Sequence, residues 1–191
     1  MKNAIILHGK PDPGQKEYYN PNFPSPSNSH WLPWLQKQLL IHDIAAQTPE
    51  MPNAWKPEYE IWQKEFERYE TTPETILVGH SCGAGFIVRW LSEHPDIKVG
   101  KIVLVAPSLG FTWDDRSFFG FVIDRELANR TAGVTIFGSD NDEPSVMKAI
   151  AQYRSVLKDV KYREFPGYGH FVMGSMKTDV FPELLEETLH E

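Results

Sequence analysis

The sequence predicts an α/β protein: a three-layer α/β/α sandwich built on a mostly parallel sheet of about six strands. Short apolar runs alternate along the chain with longer amphipathic ones, the rhythm of strand–helix–strand units. Two of those runs, Ile76-Leu77-Val78 and Ile102-Val103-Leu104-Val105, lack polar alternation, as strands covered on both faces do. There is no internal repeat, low-complexity tract or linker, so residues 1–191 read as a single domain.

Taken in order, the expected strands are Ala4–Leu7, Ile41–Ala46, Thr75–Val78, Lys101–Ala106, Val134–Phe137 and Lys161–Phe165. A helix is expected to start near Trp31. Tyr59, Trp62, Phe66 and Tyr69, spaced 3, 4 and 3, make one apolar stripe. Val146, Ile150, Tyr153 and Leu157 repeat at 4, 3 and 4. The last helix carries Phe181, Leu184, Leu185 and Leu189 on one side, with Pro182 in its first turn. Right-handed crossovers then place helices on both faces of the sheet. Two segments interrupt the rhythm. Gly9 to His30 holds five prolines; a loop of that length inside a domain is usually functional, and the alternative is a surface excursion of no consequence. Ser108 to Arg130 is rich in aromatics and suits either a small lid or one wall of a pocket, or ordinary core.

Composition narrows the function classes. The 19 Lys plus Arg against 26 Asp plus Glu give a net charge of −7, which argues against a broad basic face for nucleic acid or anionic lipid. The single cysteine, Cys82, excludes an internal disulfide framework and any four-cysteine zinc site. The histidines are scattered and no H-E-x-x-H helix is present, so no metal is expected. Gly79–Gly85 lacks the lysine that completes a phosphate-binding loop, so no nucleotide cofactor is expected either. The apolar run from Ala4 to Leu7 is too short for a signal-peptide core or a membrane span, and the default expectation is a cytoplasmic location.

The strongest chemical signal is Gly79-His80-Ser81-Cys82-Gly83, a G-x-S-x-G pentapeptide. An apolar strand leads into it, and a helical pattern with Phe86, Ile87, Trp90 and Leu91 leads out. That is the context a nucleophile elbow requires. Ser81 would sit in a sharp turn at the carboxyl end of its strand, where α/β sheets bind ligands. A serine hydroxyl needs an adjacent base. In the elbow architecture the order is Ser, then acid, then His. His170 and His190 lie late enough in the chain; His190 is next to the last residue, where ends fray, so His170 is the expected base. The acid should follow the fifth strand, where Asp140, Asp142 and Glu143 compete. Position alone favours neither aspartate, and Glu143 is expected to face solvent. The oxyanion donors are assigned to the backbone N–H groups of Cys82 and of Lys10, which follows the first strand's His8-Gly9 turn. His8 reads as structural, and His80 is expected to point away from the serine. Trp31, Phe111, Trp113 and Phe118 are candidates to line an apolar pocket, and each suits the core equally well.

With these residues in place the chain resembles the α/β-hydrolases, and more narrowly the small serine hydrolases grouped with retinoblastoma-binding protein 9 and the bacterial YdeN proteins. The resemblance rests on Leu7-His8-Gly9, His30-Trp31-Leu32-Pro33-Trp34-Leu35, Val78–Gly83, Val105-Ala106-Pro107, Gly138–Asp142 and Gly169-His170-Phe171. It implies a compact α/β-hydrolase fold without a large cap, and it selects Asp142 as the acid. The implied activity is that of an esterase-like serine hydrolase, with Ser81, Asp142 and His170 cleaving a small carboxylic ester or amide through an acyl-enzyme, without metal or cofactor. The expected partner is a small-molecule substrate, with no nucleic acid and no membrane; a protein partner is left open. The alternative is a catalytically weak hydrolase-fold protein acting as a binding or scaffold partner.

Overall fold

The structure is a computed structural model that describes residues 2–11, 16, 19–110 and 116–190. The apolar runs form six strands: β1 (Asn3–Leu7), β2 (Ala45–Gln47), β3 (Ile76–His80), β4 (Ile102–Val105), β5 (Val134–Ser139) and β6 (Val160–Phe165). The amphipathic runs form α1 (Leu32–Ile41), α2 (Tyr59–Phe66), α3 (Cys82–Glu93), α5 (Pro144–Val156) and α7 (Pro182–Leu189). Two one-turn helices, α4 (Arg116–Phe119) and α6 (Met173–Met176), lie between them. Every strand pair is parallel and the order is β2-β1-β3-β4-β5-β6. The strands β1, β3, β4 and β5 are buried along nearly their whole length, whereas the outermost β6 exposes Lys161 and Glu164, as befits an edge.

The chain turns to one side after β1 and to the other after β2, so the order reverses between β1 and β3. Right-handed crossovers then put α1 on one face and α2, α3 and α5 on the other. The packing agrees with this. Helix α1 lies against α7 and β2. On the opposite face Trp62 and Phe66 of α2 meet Phe86 edge-on, at ring separations of 5.9 and 5.4 Å, and Phe66 meets Trp90 at 4.8 Å. A second aromatic cluster, Phe137, Phe165, Phe171 and Phe181, fills the face beneath the loop after β6. Burying one such ring contributes roughly 1.5–3 kcal/mol. Among the described residues no helix is long and apolar enough to cross a membrane.

Element boundaries moved where apolar content misled. Ile41 does not open the second strand; it ends α1 and is 60% exposed. A turn follows in which Asp43 takes φ 59°, a left-handed conformation that aspartate tolerates, and β2 starts only at Ala45. Tyr69 and Leu157 pack against the core from just beyond their helices rather than within them.

Candidate active site

Ser81 stands between β3 and α3 with φ 53° and ψ −115°, a conformation that costs of order 1–3 kcal/mol and persists only where its surroundings impose it. They do so through two glycines. A Cβ on Gly79 would lie 2.5 Å from the Ala84 Cα, and one on Gly83 would lie 2.4 Å from the His8 carbonyl oxygen. Strand, turn and helix therefore close up only with both glycines. The Ser81 N–H donates to the Val105 carbonyl at 2.9 Å, and the Ser81 carbonyl accepts from the Gly85 and Ser108 N–H groups, each at 3.1 Å. The turn is anchored on both sides, with its hydroxyl at the point where strand order reverses.

His170 arrives from the loop after β6. Its Nε2 lies 2.9 Å from Ser81 Oγ, and its Nδ1 lies 3.0 and 3.2 Å from the two carboxylate oxygens of Asp142. A carboxylate only accepts, so in the neutral ring Nδ1 carries the proton and Nε2 accepts from the Ser81 hydroxyl. The Asp142 side chain is wholly buried, while that of His170 remains 27% exposed. The structure thus brings together Ser81, His170 and Asp142.

Asp140, the competing acid, is used differently. The loops after β5 and β6 are joined by consecutive residues: Asp140 accepts from the Gly167 N–H at 2.8 Å, and Asn141 accepts from the Gly169 N–H at 2.7 Å. Asp142 meets the His170 ring next in line. Asp142 also accepts from the Glu143 N–H at 2.7 Å, and Glu143 itself is exposed at the rim of the cleft. In the sequence only the polar run Ser139-Asp140-Asn141-Asp142 points to Asn141.

Further imidazoles surround the centre. His8 accepts the Met51 N–H at Nε2 (2.9 Å), so its Nδ1–H donates to the Gly9 carbonyl (2.7 Å) and both ring nitrogens are occupied. His80 faces away from the serine hydroxyl, but not away from the site. Its Nε2–H donates to the main-chain carbonyl of His170 at 2.8 Å, and the two rings lie 5.0 Å apart. His30, with φ 58°, accepts the Met173 N–H at Nδ1 (3.2 Å) and sits 6.2 Å from the His80 ring. Burial lowers the pKa of all of these: His8 by desolvation first, His30 by desolvation and then by His170. His80 falls well below the ordinary 6.5, by desolvation and then by the His170 and His30 imidazoles. His190 lies at the far end of the sheet, beside Lys101.

A cleft of about 250 Å³ opens beside His170, walled by Gly9 and Lys10, by Phe23 and His30, and by Val172. It is slightly smaller than the usual range for small-molecule sites. Of the proline-rich segment before α1, Pro11, Phe23, Pro26, Ser29 and His30 line the cleft. Two of the expected lining residues do not reach it. Trp31 is fully buried between His80 and Phe181, and its indole N–H donates to the Phe171 carbonyl at 3.0 Å; its neighbours His30 and Leu32 line the cleft instead. Phe118 is core, edge-on to Trp62 at 5.1 Å, because the one-turn helix α4 is needed to cover the aromatic groove between α2 and α3. Phe111 and Trp113 lie outside the described residues. Lys10 borders the cleft and Cys82 opens α3 directly beside Ser81. Among the described residues no group of three or more His, Cys, Asp or Glu is arranged to hold a metal ion.

Residues 20–179 match the family described as serine hydrolase. The YdeN protein of Bacillus subtilis (strain 168) is 37% identical over 109 residues, a stretch covering 55% of this chain and 50% of that protein. The chain thus aligns with half the length of this curated relative. The crystal structure of the ydeN gene product from B. subtilis superposes with a TM-score of 0.77 at 25% identity, over 97% of this chain and 96% of that one. Est1E from Butyrivibrio proteoclasticus is similar at the level of the fold, with a TM-score of 0.61 and 16% identity over 97% of this chain and 88% of that one. The architecture is that of a compact α/β-hydrolase.

Proposed function

This chain belongs to the serine hydrolase family, and on that premise we propose that it cleaves a small carboxylic ester or amide through Ser81, His170 and Asp142. The observation that carries the proposal is the unbroken line of short contacts from Ser81 Oγ to His170 Nε2 and from His170 Nδ1 to Asp142. Ser81 Oγ attacks the carbonyl carbon while its proton passes to His170 Nε2. The charge that develops on the carbonyl oxygen is received by the backbone N–H groups of Lys10 and Cys82, the latter at the start of a helix, where negative charge is favoured. Collapse of the tetrahedral intermediate breaks the bond to the alcohol or amine, which takes the proton from His170. The product is an acyl-enzyme ester on Ser81. Water, deprotonated by the same nitrogen, attacks that ester; collapse of the second tetrahedral intermediate breaks the bond between Ser81 Oγ and the acyl carbon, returns the proton from His170 to Oγ and releases the acid. Asp142 stays ionised throughout, holds the ring in the Nδ1–H tautomer and stabilises the imidazolium as it forms.

The cleft supports a small substrate, since about 250 Å³ accommodates a compact acyl or alcohol group rather than a long chain. The test is covalent labelling with a fluorophosphonate alongside hydrolysis of a short p-nitrophenyl ester. The wild type is expected to label at Ser81. Ser81→Ala is expected to lose labelling and to lower kcat by about 10⁶-fold. Equal labelling of wild type and variant overturns the assignment.

A further inference from the structure

The loop that carries His170 reaches from the end of β6 back to the end of β3, across the positions of β4 and β5. An imidazole delivered over that span keeps its place only if its main chain is tied down. Phe171 is one tie: it is fully buried against Phe165 and Phe181 at 5.7 Å each, although its φ is 55°. The Trp31 indole is another, bonded to the Phe171 carbonyl. Both of these connect the loop to the aromatic cluster beneath it. Neither is a hydrogen bond to the strand that carries the nucleophile.

His80 makes that connection. It is the residue immediately before Ser81, is almost wholly buried, and bonds the carbonyl of His170 itself at 2.8 Å. A carbonyl oxygen cannot donate, so the bond requires the proton on His80 Nε2. Burial keeps the ring uncharged, which leaves Nε2–H in place without introducing a cation beside the base. The His80 ring is itself held edge-on by Trp31 at 5.8 Å and His30 at 6.2 Å, so its direction is not free. With Ser81 held from β4 on its other side, the short path Ser81–His80–His170 closes a ring with the Oγ···Nε2 contact.

We infer that His80 is a positioning residue: its hydrogen bond to the His170 carbonyl sets the separation between Ser81 and the imidazole that faces it. The inference rests on the hydrolytic reading above, and its test separates the two. Ser81-dependent turnover and labelling by the wild type establish the reaction independently of His80; their absence would sink the hydrolytic reading and this inference with it. Given that turnover, His80→Leu fills the space without a donor, whereas His80→Gln carries an amide N–H to about the place of Nε2. A displacement near 1 Å costs about 100-fold, so His80→Leu is expected to lower kcat by about that factor with KM within about threefold, and His80→Gln to recover most of the loss. A residue that merely fills the core would respond to shape and not to the donor. Wild-type kcat in the leucine variant overturns the inference, as does equal loss in the leucine and glutamine variants. Should leucine prevent folding, His80→Asn replaces it in the comparison. Its shorter amide stops short of the carbonyl, so it must be slower than His80→Gln, and an asparagine variant as fast as the glutamine one also overturns the inference.

Discussion

The two ends of the sheet bury ionisable groups in opposite ways. At the carboxyl ends His8, His30 and His80 are held uncharged by burial, each with a ring nitrogen committed to a main-chain partner. At the amino ends Glu187 of α7 is only 2% exposed and fully charged. Burial alone would raise its pKa, yet hydrogen bonds from Lys161, Thr135 and Arg163 hold it down to about 2. Lys161 bonds it at 2.7 Å, Thr135 at 2.8 Å and Arg163 at 3.2 Å, with Lys101 3.6 Å away. At the first end the neutral imidazoles add no cation around the base, and the carboxylate that touches it, Asp142, orients its ring. The other uses fixed charge to fasten the last helix to β5 and β6. Buried polarity therefore positions a proton carrier at one end and fastens a helix at the other.

The sharpest way to break this contrast is at the acid. Asp142→Asn removes the charge and presents the ring with the wrong hydrogen-bonding partner, and kcat is expected to fall by about 10⁴-fold. Asp140→Asn keeps an oxygen that can accept the Gly167 N–H, so the expected cost is less than ~1 kcal/mol and kcat is preserved. Steady-state kinetics on the two variants read the difference directly; comparable losses would mean that the two loops act as one unit and that the acid is misassigned.

At the far end, Glu187→Ala leaves cations that can recover water only in part. It is expected to cost about 2 kcal/mol, or roughly 4–8 °C in Tm, with activity per folded molecule unchanged. Calorimetry together with active-site titration checks both halves of that statement. A loss of activity in the folded fraction would erase the division between the two ends.

The smallest effect is on pH dependence. Groups whose folded pKa is depressed contribute stability that is complete above the unfolded value and is lost as pH falls towards the folded one. For the buried histidines that loss starts below 6.5, and for Glu187 it starts below 4.5 and continues to about 2. Thermal melts across pH are expected to decline in two stages. His80→Gln should flatten the upper stage and Glu187→Gln the lower. A single stage, unaffected by either variant, would contradict the contrast.

The strands were legible because β3 and β4 are apolar runs with no polar break, and the turn at Ser81 because Gly79 and Gly83 bracket it. The position of His170 followed from chain order. What could not be read was anything that depends on two distant segments meeting. Asp140 and Asp142 are the same chemical group two residues apart, and only the pairing of their loop with residues 167–170 gives them different partners. The elbow pattern turns His80 from the hydroxyl, but its target is a main-chain oxygen 90 residues away, which no local pattern encodes. For Trp31 and Phe118 the sequence leaves pocket and core open, and the fold puts both in the core. An aromatic beside a cleft and an aromatic beneath it look alike in sequence, and the helix phase decides between them.

The reach of the loop after β6 has one further consequence. Serine and imidazole are supplied by strands that do not touch, and they meet only when the last strand has added to the sheet and Phe171 has entered the cluster below. Chemical competence is thus conditional on assembly. A nascent or partly unravelled chain can display its hydroxyl at the bend and remain inert, so reactivity at that one oxygen doubles as a signature of a finished molecule.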